Sequence, residues 1–244
     1  MDVQVFLQAL TSKALREGLW ITVTLTLASF AAGAVIGLVV ALLRGNRFRV
    51  VRAIAWTYIW VFRAVPTLVQ LVFVWYALPQ LIHELRGPGF TPFLAATLAL
   101  SLNEGAYAAE IIRAGLLSID EGQRLAARAL GMSPRSVFRR VVAPQLIRVV
   151  TPTMANDFIT MLKITSLAYV VSLQEILTNT QSQVSASFRY AEWYLAAAIY
   201  YLVLVSIFMA VQAWFERRYA WTSRAAGAGG ASSRLAGLRG VAAR

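Results

Sequence analysis

The stretch Glu121–Pro144, EGQRLAARALGMSPRSVFRRVVAP, decides how the rest of the chain is read. It is a charged, helix-forming segment centred on Gly131, set between two strongly apolar runs. Ser118 or Asp120 can cap a helix whose first turn holds Asp120 and Glu121, and Gln123–Leu130 is rich in good helix formers. Gly131 is expected to end that helix. Ser133-Pro134 then reads as an N-cap followed by Pro at the first helical position, opening a second helix through Arg139 and Arg140 to Val142, where Pro144 is expected to stop it. Two short helices with a glycine corner and a basic surface suit either a hairpin resting on anionic lipid or an element that docks a protein.

Composition places the flanking runs in a bilayer. Of the 244 residues, 59% are hydrophobic and only 14% charged, and the mean hydropathy is +0.62, outside the balance of a soluble domain. With no cysteine and one histidine, disulfides, thiolate metal sites and cysteine nucleophiles are excluded, and a metal site at His83 has no second ligand nearby. The net charge of +12 raises nucleic acid as a partner, but the basic residues flank apolar spans and form no aromatic-interleaved patch, so membrane lipid is the better reading.

The fold class is therefore an all-α polytopic membrane protein. Five spans are expected, at Leu19–Leu43, Ala53–Ile82, Pro92–Ile112, Val149–Leu173 and Tyr194–Phe215, each long enough for a hydrocarbon core of roughly 30 Å. Leu19–Leu43 has no small-residue cleavage site after it and reads as a retained span. The second run is too long for one straight crossing; Pro66 interrupts it, so Val50–Arg63 is expected partly along the interface. Seventeen Lys and Arg residues fall on one side, in the loops after the first, third and fifth spans; only Lys13, Arg16, Arg86 and Arg189 fall on the other. That bias puts the N-terminus outside and the C-terminus in the cytoplasm. Residues 1–18 read as an outer-surface segment, with an amphipathic helix at Val3–Leu15. Residues 19–220 read as the transmembrane domain with its cytoplasmic loop at 114–148, and 221–244 as a disordered basic tail. Trp20, Trp56, Trp60, Trp75 and Trp193 suit interface anchors, and Gly33 with Gly37 forms GxxxG, a close-packing pattern.

The loop resembles the EAA loop of ABC-transporter permease subunits. The matching positions are Leu125-Ala126-Ala127, Gly131, Val141 and Ala143-Pro144, with Leu125 where the family usually has Glu and Ala143 where it usually has Leu. The rest is similar to the polar amino acid subfamily of these permeases, the histidine/glutamine/glutamate type. That likeness rests on GLWITVTLT (Gly18–Thr26), VFRAVPTLVQL (Val61–Leu71), LSLNEGAYAAEIIRAG (Leu100–Gly115), PQLIR (Pro144–Arg148) and LKITSL (Leu162–Leu167). TSLAYVVSL (Thr165–Leu173) leans toward the glutamate/aspartate type. The resemblance implies the type I importer permease fold, with a second permease chain completing a homodimer or heterodimer. It also implies two cytoplasmic ATPase subunits that hold ATP and Mg, an external solute-binding protein, a cell inner-membrane location and a polar amino acid as substrate. Contact with the ATPase would fall to Leu125, Ala126, Ala127, Gly131, Arg139, Arg140 and Pro144.

The chain has no GxxxxGK[ST] phosphate loop, so it is expected to be a permease and not the ATPase, with no cofactor of its own. The alternative is an ion-coupled secondary transporter or channel subunit, which has no obvious need of a glycine-cornered loop. No nucleophile–base pair or metal cluster for an enzyme can be assembled.

Ionisable groups at membrane depth are functional candidates. Asn103, Tyr107 and Glu110 recur at i, i+4, i+7, and Glu104 lies three residues from Tyr107, so the four are expected to share roughly one face. Glu104, near the midplane, is read as an interhelical hydrogen bond or ion pair, or as a contact for a substrate amine. Glu110 and Arg113 are expected to pair at the cytoplasmic end. Asp157 and Lys163 are rotated by about 600°, roughly 120° short of two turns, and should have different partners. Lys163 would pair with span three, at Glu104, or join Thr165 and Ser166 in presenting donors to a substrate carboxylate. Arg63 is expected to brace the carbonyls freed at Pro66, leaving Gln70 to face the pathway.

Overall fold

Asp2, Ser12, Thr91, Asp120, Ser133 and Glu175 each set a side-chain oxygen on a free N–H of a helical first turn, and these caps lay out the element order. The computed structural model describes residues 1–219. Among these there is no strand, and the helices are α1 (Val3–Leu10), α2 (Lys13–Arg44), α3 (Arg49–Ala64), α4 (Thr67–Leu81), α5 (Pro92–Ser118), α6 (Glu121–Ala129), α7 (Pro134–Val171), α8 (Ile176–Ser187) and α9 (Tyr190–Tyr219). The tail assigned to 221–244 lies outside the described residues.

Lys13–Arg44 and Tyr190–Trp214 are each long and apolar enough to cross a bilayer unbroken. Two further stretches reach that criterion only as bent pairs: α3 with α4, bent by 105°, and α7 with α8, bent by 48°. The first bend falls at Val65-Pro66, where Pro66 lacks an N–H to continue the ladder. At 27 residues α5 is about 40 Å long, and it carries Glu104, Glu110 and Arg113.

The α2–α5 pair is the spine. A Cβ on Gly37 would lie 2.5 Å from the Ala108 Cβ and 2.9 Å from Ala109 N, and Gly33 abuts Glu104 one turn earlier, so the two helices run parallel in tight register. The N-terminal ends of both, at Lys13 and Pro92, therefore lie opposite the hairpin that follows Ser118. Gly37→Val should force the pair apart at a cost of about 1–3 kcal/mol, seen as a lower thermal midpoint of the detergent-solubilised protein. An unchanged midpoint would mean that the helices do not meet there.

Three sequence expectations change here. Pro144 does not stop the second arm of the hairpin. The backbone widens into a π turn over Phe138–Val142, in which Ala143 N–H reaches back to Phe138 O, and Pro144 follows inside a helix that runs on through Pro152. The same device recurs in α4, where a π turn over Phe73–Ala77 precedes Pro79; the shifted hydrogen-bond register accommodates a ring that an ordinary α turn would exclude. The span placed at Val149–Leu173 is thus the C-terminal part of a longer helix that begins at Pro134 and ends at Val171. Second, Val3–Leu15 is not one helix: α1 ends at Leu10 and Ser12 caps α2. Third, Trp193 is buried with Ala9, Leu15, Ile176, Val184, Ala196 and Ala197, because α1 and α8 cover it. Trp20, Trp56 and Trp60 are exposed, the last two with parallel rings 6.0 Å apart; Trp75 stacks on Phe90.

The helix α8 had no counterpart in the sequence reading. It is bracketed by left-handed residues, Ser172 (φ 57°) and Phe188 (φ 56°), and by the buried Glu175. Glu175 accepts from Leu177 N at 2.9 Å, Thr178 N at 2.6 Å and the Tyr201 hydroxyl at 2.8 Å. Its Glu-x-x-Thr spacing is the signal that could have located the cap.

Candidate functional site

The hairpin is a rigid corner. Asp120 Oδ1 accepts from Gly122 N at 2.6 Å to start α6. At its end Gly131 N–H bonds Arg128 O at 2.9 Å, Met132 N–H bonds Ala127 O at 3.2 Å, and Gly131 sits at φ +78°. That is a Schellman closure, which needs a left-handed residue. Ser133 then caps α7, accepting from Ser136 N. Gln145 donates to Gln123 Oε1 and to Val141 O, both at 2.7 Å, stitching the arms together. Arg124 donates to Leu116 O at 2.7 Å and ties the first arm to the end of α5.

Inside the corner Ile119, Ala127, Val137 and Val142 pack as a small core. Ala127 is therefore not a surface residue but the pivot of the packing. Exposed instead are Ala126 and Gly131, with Leu125 at 56% and Leu130 at 85%. Leu125, which stands where the resemblance has Glu, presents an apolar side chain outward. Arg139, Arg140 and Pro144 are exposed on the second arm.

In the membrane half, one helical face splits in two. Asn103 and Gln70 serve the bend between α3 and α4. Gln70 Nε2 donates to Phe62 O at 2.9 Å and Val65 O at 2.8 Å; Asn103 Nδ2 donates to Phe62 O at 3.0 Å and Gln70 Oε1 at 3.3 Å. The freed carbonyls are thus braced by Gln70, buried at 7% exposure, and not by Arg63. Arg63 turns the other way, over the Tyr107 ring at 5.4 Å and toward Glu110 at 4.0 Å; Arg113 meets Glu110 at 3.3 Å.

Glu104 leaves that face, since one residue along a helix is a 100° rotation from Asn103. It is buried against Gly33 of α2 and lies beside Asp157 of α7. Asp157 therefore faces a carboxyl and not a cation. Among the described residues no donor reaches Glu104 Oε1, Asp157 Oδ2 or the buried Ser29 Oγ of α2. Lys163 is exposed and forms no ion pair with Glu104. Thr165 and Ser166 spend their hydroxyl protons on Leu162 O and Lys163 O, both at 2.7 Å, leaving the Lys163 ammonium as the available donor of that trio. Ser29 was missed because a lone serine in an apolar run carries no pattern. Among the described residues no cluster of His, Cys, Asp and Glu could hold a metal ion.

Comparison with known proteins agrees with this architecture. Residues 6–221 match the family described as binding-protein-dependent transport system inner membrane component. The chain is 40% identical over 201 residues to the probable amino-acid permease protein YxeN of Bacillus subtilis, covering 82% of this chain and 89% of that one. It is 34% identical to the glutamine transport system permease protein GlnP of Escherichia coli, covering 83% and 91%. The crystal structure of an amino acid ABC transporter with histidines superposes with a TM-score of 0.77 at 35% identity, over 84% of this chain and 94% of that one. A helical permease of the type I importer fold is what these matches share, and the chain belongs to the family of binding-protein-dependent transport system inner membrane components.

Proposed function

We propose that this subunit is one half of the membrane pathway of an ATP-driven importer for a polar amino acid, with five spans, an outside N-terminus and a cytoplasmic C-terminus. A second permease chain completes the pathway, two ATPase subunits carrying ATP and Mg dock at the hairpin, and a solute-binding protein delivers substrate from outside. The observation that carries the reading is the Schellman-closed corner, which offers Leu125, Ala126, Leu130 and Gly131 as one exposed knob, shaped from within by Ala127 and followed on the second arm by the exposed Pro144. The corner joins α5 directly to α7, so a push on it moves both helices as bodies. Glu104 stands on α5 and Asp157 on α7, and their separation is set by that motion. In the arrangement that admits substrate, the two carboxylates receive the amine while Lys163 meets the carboxylate. At the opposite end a recess of about 650 Å³, lined by Lys13, Arg16, Glu17, Trp20, Gln174 and Asn179 among others, is the face left for the binding protein.

Proteoliposomes holding the permease pair, its ATPase and its binding protein provide the test. Uptake of the amino acid that the binding protein retains should require ATP and stop on its depletion while an ion gradient is maintained. Uptake that persists on the gradient alone would replace this reading with an ion-coupled transporter.

A further inference from the structure

We propose that Arg135, Arg139 and Arg140 form a binding site for the phosphodiester headgroup of an anionic phospholipid in the cytoplasmic leaflet. With Ser136 these three side chains line a recess of about 400 Å³. It is built where the hairpin turns into the membrane helix: Arg135 stands in the first turn of α7, and Arg139 and Arg140 in the π turn that follows. None of the three takes part in an ion pair among the described residues. Of the two carboxylates at the start of the hairpin, Asp120 is spent on the cap of α6 and Glu121 forms no ion pair with the three arginines.

Three guanidinium groups with no acid among them call for an oxyanion with several acceptors. Their forked donors fit phosphate oxygens, and the Ser136 hydroxyl adds a donor. Free phosphate would satisfy the same chemistry. A lipid is favoured because Phe138, beside the recess, is 50% exposed and offers an apolar side chain to an acyl chain leaving the held headgroup. The inner leaflet is anionic, and basic recesses at its surface attract such headgroups. The recess belongs to the second arm, whereas the exposed Leu125 and Leu130 belong to the first arm and the corner. The proposal rests on the reading above only in placing the hairpin at the cytoplasmic face.

The test is native mass spectrometry of the intact permease–ATPase complex titrated with phosphatidylglycerol or phosphatidylcholine. The wild type should bind phosphatidylglycerol saturably and phosphatidylcholine poorly. Arg135→Gln/Arg139→Gln/Arg140→Gln should bind phosphatidylglycerol about a hundredfold more weakly, and Arg139→Gln alone about fivefold. Arg47→Gln/Arg49→Gln/Arg52→Gln, which removes as much exposed charge elsewhere, should bind as the wild type does. Equal loss in both triple variants would overturn the site in favour of general surface basicity. Displacement of the lipid by inorganic phosphate would overturn the lipid source, and loss of the ATPase from the first triple variant would reassign the recess to that interface. Binding is read without transport, so ATP-independent uptake would sink the importer reading and leave this result untouched.

Discussion

A permease carrying Gly131→Val should insert and fold but lose ATP-driven transport by roughly 5- to 30-fold. Gly131 holds φ +78°, and nothing lies within 4 Å of where a Cβ would stand. The penalty is therefore not a clash with neighbours but the left-handed backbone itself, about 1–2 kcal/mol for an L-residue, which corresponds to that factor. A β-branched residue suffers it most. Valine would open the Schellman closure and let α6 and α7 reorient about Ala127, so that motion of the ATPase is no longer passed on. Gly131→Asn keeps the left-handed conformation at low cost and should retain most transport. Gly131→Asp keeps the backbone and adds a charge to the exposed knob; weakened ATPase recovery with normal insertion would place the contact at the corner. Full transport by Gly131→Val would remove the corner from the coupling scheme.

The second large effect lies at the bend between α3 and α4. Gln70→Leu leaves Val65 O without a donor, strips one of the two donors from Phe62 O and takes the acceptor from Asn103. An orphaned carbonyl costs about 1–3 kcal/mol, and no water replaces the donor in an apolar surround. With the weakened Asn103 bond the loss should reach about 3 kcal/mol, or about 6–12 °C in the thermal midpoint of the purified protein. Arg63→Leu should cost little, because Arg63 reaches a partly exposed Glu110 at 4.0 Å. If Arg63→Leu proved the more damaging of the two, the brace would have been assigned to the wrong side chain.

What was legible in the sequence were the features that depend on neighbours along the chain. The caps at Asp120 and Ser133 and the glycine turn follow from local backbone chemistry, and they stand at the residues that chemistry names. The continuation past Pro144 was not legible, because a π turn leaves no compositional mark and proline is ordinarily a stop. The membrane half was read in residue types more than in partners. Asn103, Glu104, Tyr107 and Glu110 look like one face on a helical wheel, yet one 100° step carries Glu104 from the bend toward α2 and α7. That Asp157 would meet a carboxyl and Gln70 a pair of carbonyls depends on which helices are adjacent, and spacing within one helix does not encode that. Ala126 and Ala127 stand side by side in sequence, and only the packing of α6 on α7 decides that the second is interior.

The bonds that tie α1 to α9 have a bearing on how the chain is made. Asp2 N–H reaches Glu192 Oε1 at 2.8 Å and the Tyr200 hydroxyl reaches Leu10 O at 2.8 Å, each across 190 positions of sequence. Glu175 waits in the same way for the hydroxyl of Tyr201. During synthesis α1 and the start of α2 must therefore remain without their closing partner until α9 has emerged. α9 acts as a clasp, and a nascent chain that stops short of it leaves Glu175 without the Tyr201 hydroxyl and the seam beside α1 open.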